Sequence, residues 1–94
     1  MSRSIGDLKG KEKGVIPYPG IYEYNLNKST RFIIVYSDGV FKFMNNQTVM
    51  DLGKKYFLKN DASAYCHKLV SQALLECETN DDIVDDITSV VAFF

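Results

Sequence analysis

Asp38 and the pair Asp85-Asp86 are the residues of this sequence best placed to do chemistry. Asp38 follows an apolar, largely β-branched run, Arg31-Phe32-Ile33-Ile34-Val35-Tyr36, and Asp85 and Asp86 precede another, Ile87 to Phe94. Both runs read as strands. If the two lie side by side and antiparallel, the end of the first meets the start of the second. Asp38 and Asp85 then converge at one end of the sheet. Bare carboxylates held together repel or share a proton. A hard divalent cation such as Mg2+ or Mn2+ prefers oxygen ligands and relieves that repulsion. Aspartate also favours turns through its own backbone hydrogen bonds, so spacing alone leaves both readings open.

The elements that must position these residues alternate strand and helix signals. Residues 1–7 read as extended, followed by a glycine- and lysine-rich loop, Leu8 to Gly14. Val15 to Gly20 is an extended segment closed by a turn, because Pro17 and Pro19 fix φ and remove ladder donors. Ile21 to Leu26 alternates in the period of a half-buried strand, and Asn27-Lys28-Ser29-Thr30 is a turn. The run from Arg31 to Tyr36 is apolar at nearly every position, the pattern of a strand covered on both faces. Asn45 or Asn46 caps a helix reaching about Leu58, with Val49, Leu52 and Tyr56 on one face. Gly53 weakens it by about 1 kcal/mol relative to alanine. Asp61 caps a stronger helix whose apolar row is Ala62, Tyr65, Leu69 and Ala73, with Cys66, Val70 and Leu74 beside it. An acidic loop from Glu76 to Asp86 leads into the last strand, Ile87 to Phe94. The fold class is α+β.

Composition narrows the function classes. The 94 residues are 46% hydrophobic and 24% charged, which excludes a disordered tail. Eleven Lys and Arg against twelve Asp and Glu leave a net charge of −1, so no global basic bias points to nucleic acid. No apolar run is longer than the five residues of Phe32 to Tyr36, too short to span a bilayer, and MSRSIGDLKG lacks the apolar core of a signal peptide. The expectation is a soluble intracellular protein of the cytoplasm or nucleus, with no membrane partner. A folded chain of this size should expose about 5,500 Å². Cys66 and Cys77 fall about 16 Å apart along one helix, too far for a disulfide.

Several motifs fail on inspection. Gly10-Lys11-Glu12 lacks the spacing and the Ser or Thr of a phosphate-binding loop, and Lys9, Lys11 and Lys13 read as a solvated loop. The acidic run Asp81 to Asp86 lacks the glycine and distal glutamate of a calcium-binding loop. Without a secretory signal, Asn27-Lys28-Ser29 and Asn46-Gln47-Thr48 are chance glycosylation triplets. The single histidine, His67, sits mid-helix in a surface or packing role.

Four segments in order, MSRSIGD at 1–7, VIPYPGI at 15–21, FIIVYSDGVF at 32–41 and DDITSVVAFF at 85–94, resemble the C-terminal motifs of metal-dependent protein serine/threonine phosphatases of the PP2C (PPM) type. In that family they take forms like LAxSRxxGD, xxPxPxI, FLILASDGLWD and DNITVVVVxF. Each motif alone is weak; four in order are specific, and they cover essentially the whole chain. The resemblance implies part of a β-sandwich of two antiparallel sheets flanked by helices, with a two-metal centre at one end. It places Asp38 and Asp85 as ligands of Mg2+ or Mn2+, two ions in the complete domain. It implies hydrolysis of phosphoserine and phosphothreonine in a phosphoprotein substrate by a metal-activated water.

The resemblance also marks what does not match. The family's early Asp-Gly-His-Gly motif and its phosphate-binding arginine have no counterpart, so residues 1–94 look like about the last third of such a domain, inactive alone. Met1 coincides with a residue often found before SRxxGD, as a start at an internal methionine would give. Lys42 stands where the family usually has an acid tied to a further, weaker metal, and Asp86 replaces the usual asparagine. Arg3, Asp7, Gly39 and Asp86 are read as structural or supporting residues. The rival reading is a non-catalytic PP2C-like scaffold or binding module. Strands with more apolar surface than two helices can cover should pair with the missing N-terminal part of the domain, or self-associate.

Overall fold

The computed structural model describes residues 2–80, 83 and 85–94. Its centre is an antiparallel pair, β1 (Phe32–Tyr36) and β2 (Ser89–Phe93), in the register Phe32 opposite Phe93 and Tyr36 opposite Ser89. The ladder runs past both ends. The Phe94 N–H donates to the Arg31 carbonyl at 2.8 Å, and the Ser37 N–H donates to the Thr88 carbonyl at 3.0 Å. The adjacency on which convergence of Asp38 and Asp85 depends is therefore present.

Two helices cover one face of this pair. They are α3 (Asn46–Leu58) and α4 (Ala62–Thr79), reached from β1 through the short α2 (Asp38–Phe41). Asn45 caps α3 by accepting the Thr48 N–H, and Asp61 caps α4 by accepting the Ala64 N–H, each at 2.9 Å. The buried row of α4 is Tyr65, Leu69, Ala73 and Cys77, and its first three members form one core with Val40, Met44 and Val49. Because that row continues to Cys77, the helix runs on to Thr79, and Glu76 to Thr79 are helical rather than loop. Asp81, Asp82 and Val84 of the acidic stretch lie outside the described residues.

Gly53 has a packing reason. A Cβ there would lie 2.6 Å from Phe32 Cζ and 2.9 Å from the Tyr65 hydroxyl, so α3 reaches the sheet this closely only without a side chain. Around that contact Phe32, Tyr65 and Phe93 pack with ring centroids 5.8–6.3 Å apart. Tyr65 donates its hydroxyl to the Val49 carbonyl at 2.6 Å, and burial pushes its phenol up to about 12.

Two expectations about the strands need correction. β1 is covered on one face only: Phe32, Ile34 and Tyr36 are half-buried against the helices, whereas Ile33 and Val35 are exposed. The two packed helices lie on the same side of the sheet, so the alternate side chains are left exposed. Ile21 to Leu26 is not a strand; it has no regular structure and is exposed, because no neighbour among the described residues supplies ladder bonds. The N-terminal region adds a short helix, α1 (Leu8–Glu12), capped by Asp7, and a parallel bridge between Arg3 and Ile16. These open segments and the bare sheet face raise the accessible surface to 7476 Å². That is well above the value of about 5,500 Å² that size alone sets. Among the described residues no helix is long and apolar enough to cross a membrane.

Candidate functional site

β1 delivers Ser37 and Asp38 to one end of the sheet, and β2 begins just after Asp85 and Asp86 at the same end. Asp38 is the first residue of α2, where a carboxylate suits the positive end of the helix. Ser37 holds the N-cap position of that helix but makes no side-chain cap bond. Its hydroxyl is used across the chain instead. Ser37 Oγ donates to the Asp86 carbonyl at 3.0 Å and accepts the Thr88 N–H at 3.0 Å. With the Ser37 N–H on the Thr88 carbonyl, three hydrogen bonds tie the Asp38 turn to the acidic turn.

Gly39 completes the fit. It is buried, and a Cβ on it would sit 2.9 Å from the Asp86 carbonyl oxygen and 3.0 Å from Ile87 Cγ1. Hydrogen would be replaced by carbon where the acidic turn already touches. The Asp86 N–H donates to Asp85 Oδ1 at 2.8 Å, which orients the Asp85 carboxylate and leaves its other oxygen outside that bond. Asp38, Asp85 and Asp86 are all exposed, so each carboxylate is open to a ligand from solvent.

The remaining candidates lie elsewhere. Asp7 caps α1 by accepting the Gly10 N–H at 3.1 Å, with a left-handed φ of 42°. The Arg3 guanidinium passes over Gly20, where its Nη1 would be 2.8 Å from an added Cβ. These two residues brace the N-terminal segment rather than the aspartate turns. His67 is exposed on α4, and Lys42 at the end of α2 lies over the ring of Phe43 at 5.6 Å. Cys66 and Cys77 are not joined in a disulfide. Among the described residues no group of three or more His, Cys, Asp or Glu side chains is placed to hold a metal ion.

Ser37 is the site residue that sequence reasoning passes over. The available signal was a serine at a strand-to-helix junction, the commonest place for a cap; its real partners are about fifty positions away, beyond any local pattern.

The family model described as protein phosphatase 2C matches residues 1–83. The chain belongs to that family. The probable protein phosphatase 2C 35 of Arabidopsis thaliana is 32% identical over 90 residues, covering 96% of this chain and 25% of its own length. The probable protein phosphatase 2C 20 of the same plant is 33% identical over 94 residues, covering 100% of this chain and 29% of its own length. A shorter match, 47% identical over 53 residues, is to the putative protein phosphatase 2C 76 of Oryza sativa subsp. japonica. The chain thus spans only 25% to 29% of the length of the two Arabidopsis relatives. No solved structure matches.

Proposed function

We propose that this chain forms one side of the catalytic domain of a Mg2+- or Mn2+-dependent phosphatase that hydrolyses phosphoserine and phosphothreonine in proteins. The observation that carries the reading is the Ser37 clamp, which fastens the Asp38 turn to the Asp85-Asp86 turn. Membership of the protein phosphatase 2C family supports it.

Asp38 and Asp85 fit a hard cation by their donor chemistry, two exposed carboxylates at one end of a sheet. When bound, such cations supply the Lewis acidity that makes water nucleophilic near neutral pH and offsets charge on phosphoryl oxygens. The chain's own part is positional. Ser37 holds the two turns together, Gly39 admits the Asp86 backbone, and the Asp86 N–H orients the Asp85 carboxylate. The Asp86 side chain adds negative charge beside Asp85.

Two carboxylates are too few for a two-metal centre, so on this reading residues 1–94 are inactive alone and the other ligands come from the rest of a domain. That remainder is the first partner, and a phosphoprotein substrate the second. The exposed Ile33, Val35 and Val90 fit the same view, since the second sheet of a β-sandwich would cover them. Left uncovered, the face favours self-association.

The test is phosphatase activity on a small aryl phosphate with Mn2+, comparing this chain with one extended upstream through the missing Asp-Gly-His-Gly motif. Activity is expected only in the extended form, and it should vanish on Asp38→Ala or Asp85→Ala. An extended form that folds yet stays inert would overturn the reading in favour of a binding scaffold.

A further inference from the structure

We propose that Phe41 touches the substrate at the Asp38 site and favours phosphoprotein segments with a large apolar side chain close to the phosphorylated residue. The inference rests on the phosphatase reading above and deepens it.

The way α2 is turned places the ring. Gly39 and Val40 are buried, Val40 in the core itself, whereas Asp38, Phe41 and Lys42 are exposed. The Lys42 N–H donates to the Asp38 carbonyl at 2.8 Å, so the backbone is helical through this stretch. Side chains three positions apart on a helix are neighbours, with Cβ atoms about 5–6 Å apart. Phe41 therefore stands beside the carboxylate of Asp38, on the face that α2 turns away from the core.

The core makes no use of that ring. Phe32, Phe57 and Phe93 pack ring against ring. Phe41 stays 60% exposed and joins neither the core nor the side chains packed against it. A phenyl ring has no charge and no hydrogen-bonding atom, so it can select only by apolar contact. Leucine, methionine and aromatic side chains are the class it suits.

The position of the ring identifies its occupant. A part of the domain that covered Phe41 completely would also stand over Asp38, which the phosphatase reading needs open to a cation and a phosphoryl group. A substrate meets both conditions, because it brings its phosphate to the aspartate turns and then departs. An extended chain rises about 3.3 Å per residue, so a side chain one or two residues from phosphoserine or phosphothreonine reaches the ring.

The test uses the chain extended upstream through the missing Asp-Gly-His-Gly motif. Two phosphothreonine peptides are compared, identical except for leucine or serine at the positions within two residues of the phosphothreonine. The expected kcat/KM ratio, leucine over serine, is about fivefold to tenfold. Phe41→Ala should lower that ratio at least about threefold, and Phe41→Trp should restore it. Activity on a small aryl phosphate reports separately on the phosphatase reading. If that activity is absent, peptide affinity read by fluorescence anisotropy decides the inference alone: a leucine preference lost in Phe41→Ala supports it, and equal affinities overturn it. A ratio unchanged by Phe41→Ala would overturn it as well. A lowered thermal midpoint alongside that unchanged ratio would assign the ring to contact with the rest of the domain.

Discussion

Ser37 Oγ and the Asp86 carbonyl oxygen lie 3.0 Å apart, joined by a hydrogen bond that spans 49 positions of sequence. The same hydroxyl accepts the Thr88 N–H, so one small side chain sets the spacing of the two aspartate turns. A threonine could offer the same hydroxyl, while alanine leaves the Asp86 carbonyl and the Thr88 amide without it.

Ser37→Ala should therefore cost about 1–2 kcal/mol of stability, the usual penalty for losing partners of backbone groups. Urea unfolding checks it, with a lowered midpoint expected at unchanged slope. Ser37→Thr should recover most of the loss.

Gly39→Ala tests the close approach of the acidic turn. Its new methyl meets the Asp86 carbonyl oxygen at 2.9 Å, a backbone atom that cannot swing aside as a flexible side chain would. The cost should be about 1–3 kcal/mol, with the Asp85-Asp86 turn displaced. Chemical-shift changes centred on residues 85–88 are the expected signature.

How much of this was legible beforehand follows from what is local. The cap at Asn45 or Asn46, the cap at Asp61 and the buried row Tyr65, Leu69, Ala73 could be read directly, because capping and helical period act within a few residues. Pairing of the two apolar runs was the condition on which the aspartate site rested, and it holds. Ile21 to Leu26 carries a strand's alternation but lacks a bonded neighbour, and alternation does not create a ladder. The coverage of β1 was misread for a related reason. Apolar residues on both faces record what a strand is fit to bury; burial of Ile33 and Val35 needs a second layer that the described residues do not supply. The Ser37 clamp was illegible because it depends on which distant residue the sheet register brings alongside.

Tyr65 links stability to alkaline pH. Its phenol is raised to about 12 by burial, chiefly, with smaller contributions from Tyr36 and Cys66, against 10.0 for a free tyrosine. Between these values the unfolded chain has lost the proton that the folded chain keeps, so stability falls as pH rises through that window. Absorbance of ionised tyrosine should show one late group whose titration accompanies unfolding. Tyr65→Phe removes that group and the bond to Val49, costing about 1 kcal/mol at neutral pH.

Ser89 offers the opposite sign. Its Oγ is buried on β2 without a hydrogen-bond partner among the described residues. Ser89→Val replaces an unsatisfied hydroxyl with an apolar, β-branched side chain suited to a strand. Stability should rise by about 1 kcal/mol, read as a higher thermal midpoint.

The central claim is that the end of the sheet carrying Asp38 and Asp85 is a divalent-cation site. Paramagnetic broadening by Mn2+, titrated into the isotope-labelled chain, tests it most directly and needs no catalysis. The account predicts selective loss of signal at residues 37–40 and 85–88, relieved by excess Mg2+ and abolished by Asp38→Asn or Asp85→Asn. Broadening spread evenly over other exposed carboxylates such as Asp51 and Glu78, unchanged by those substitutions, would contradict it.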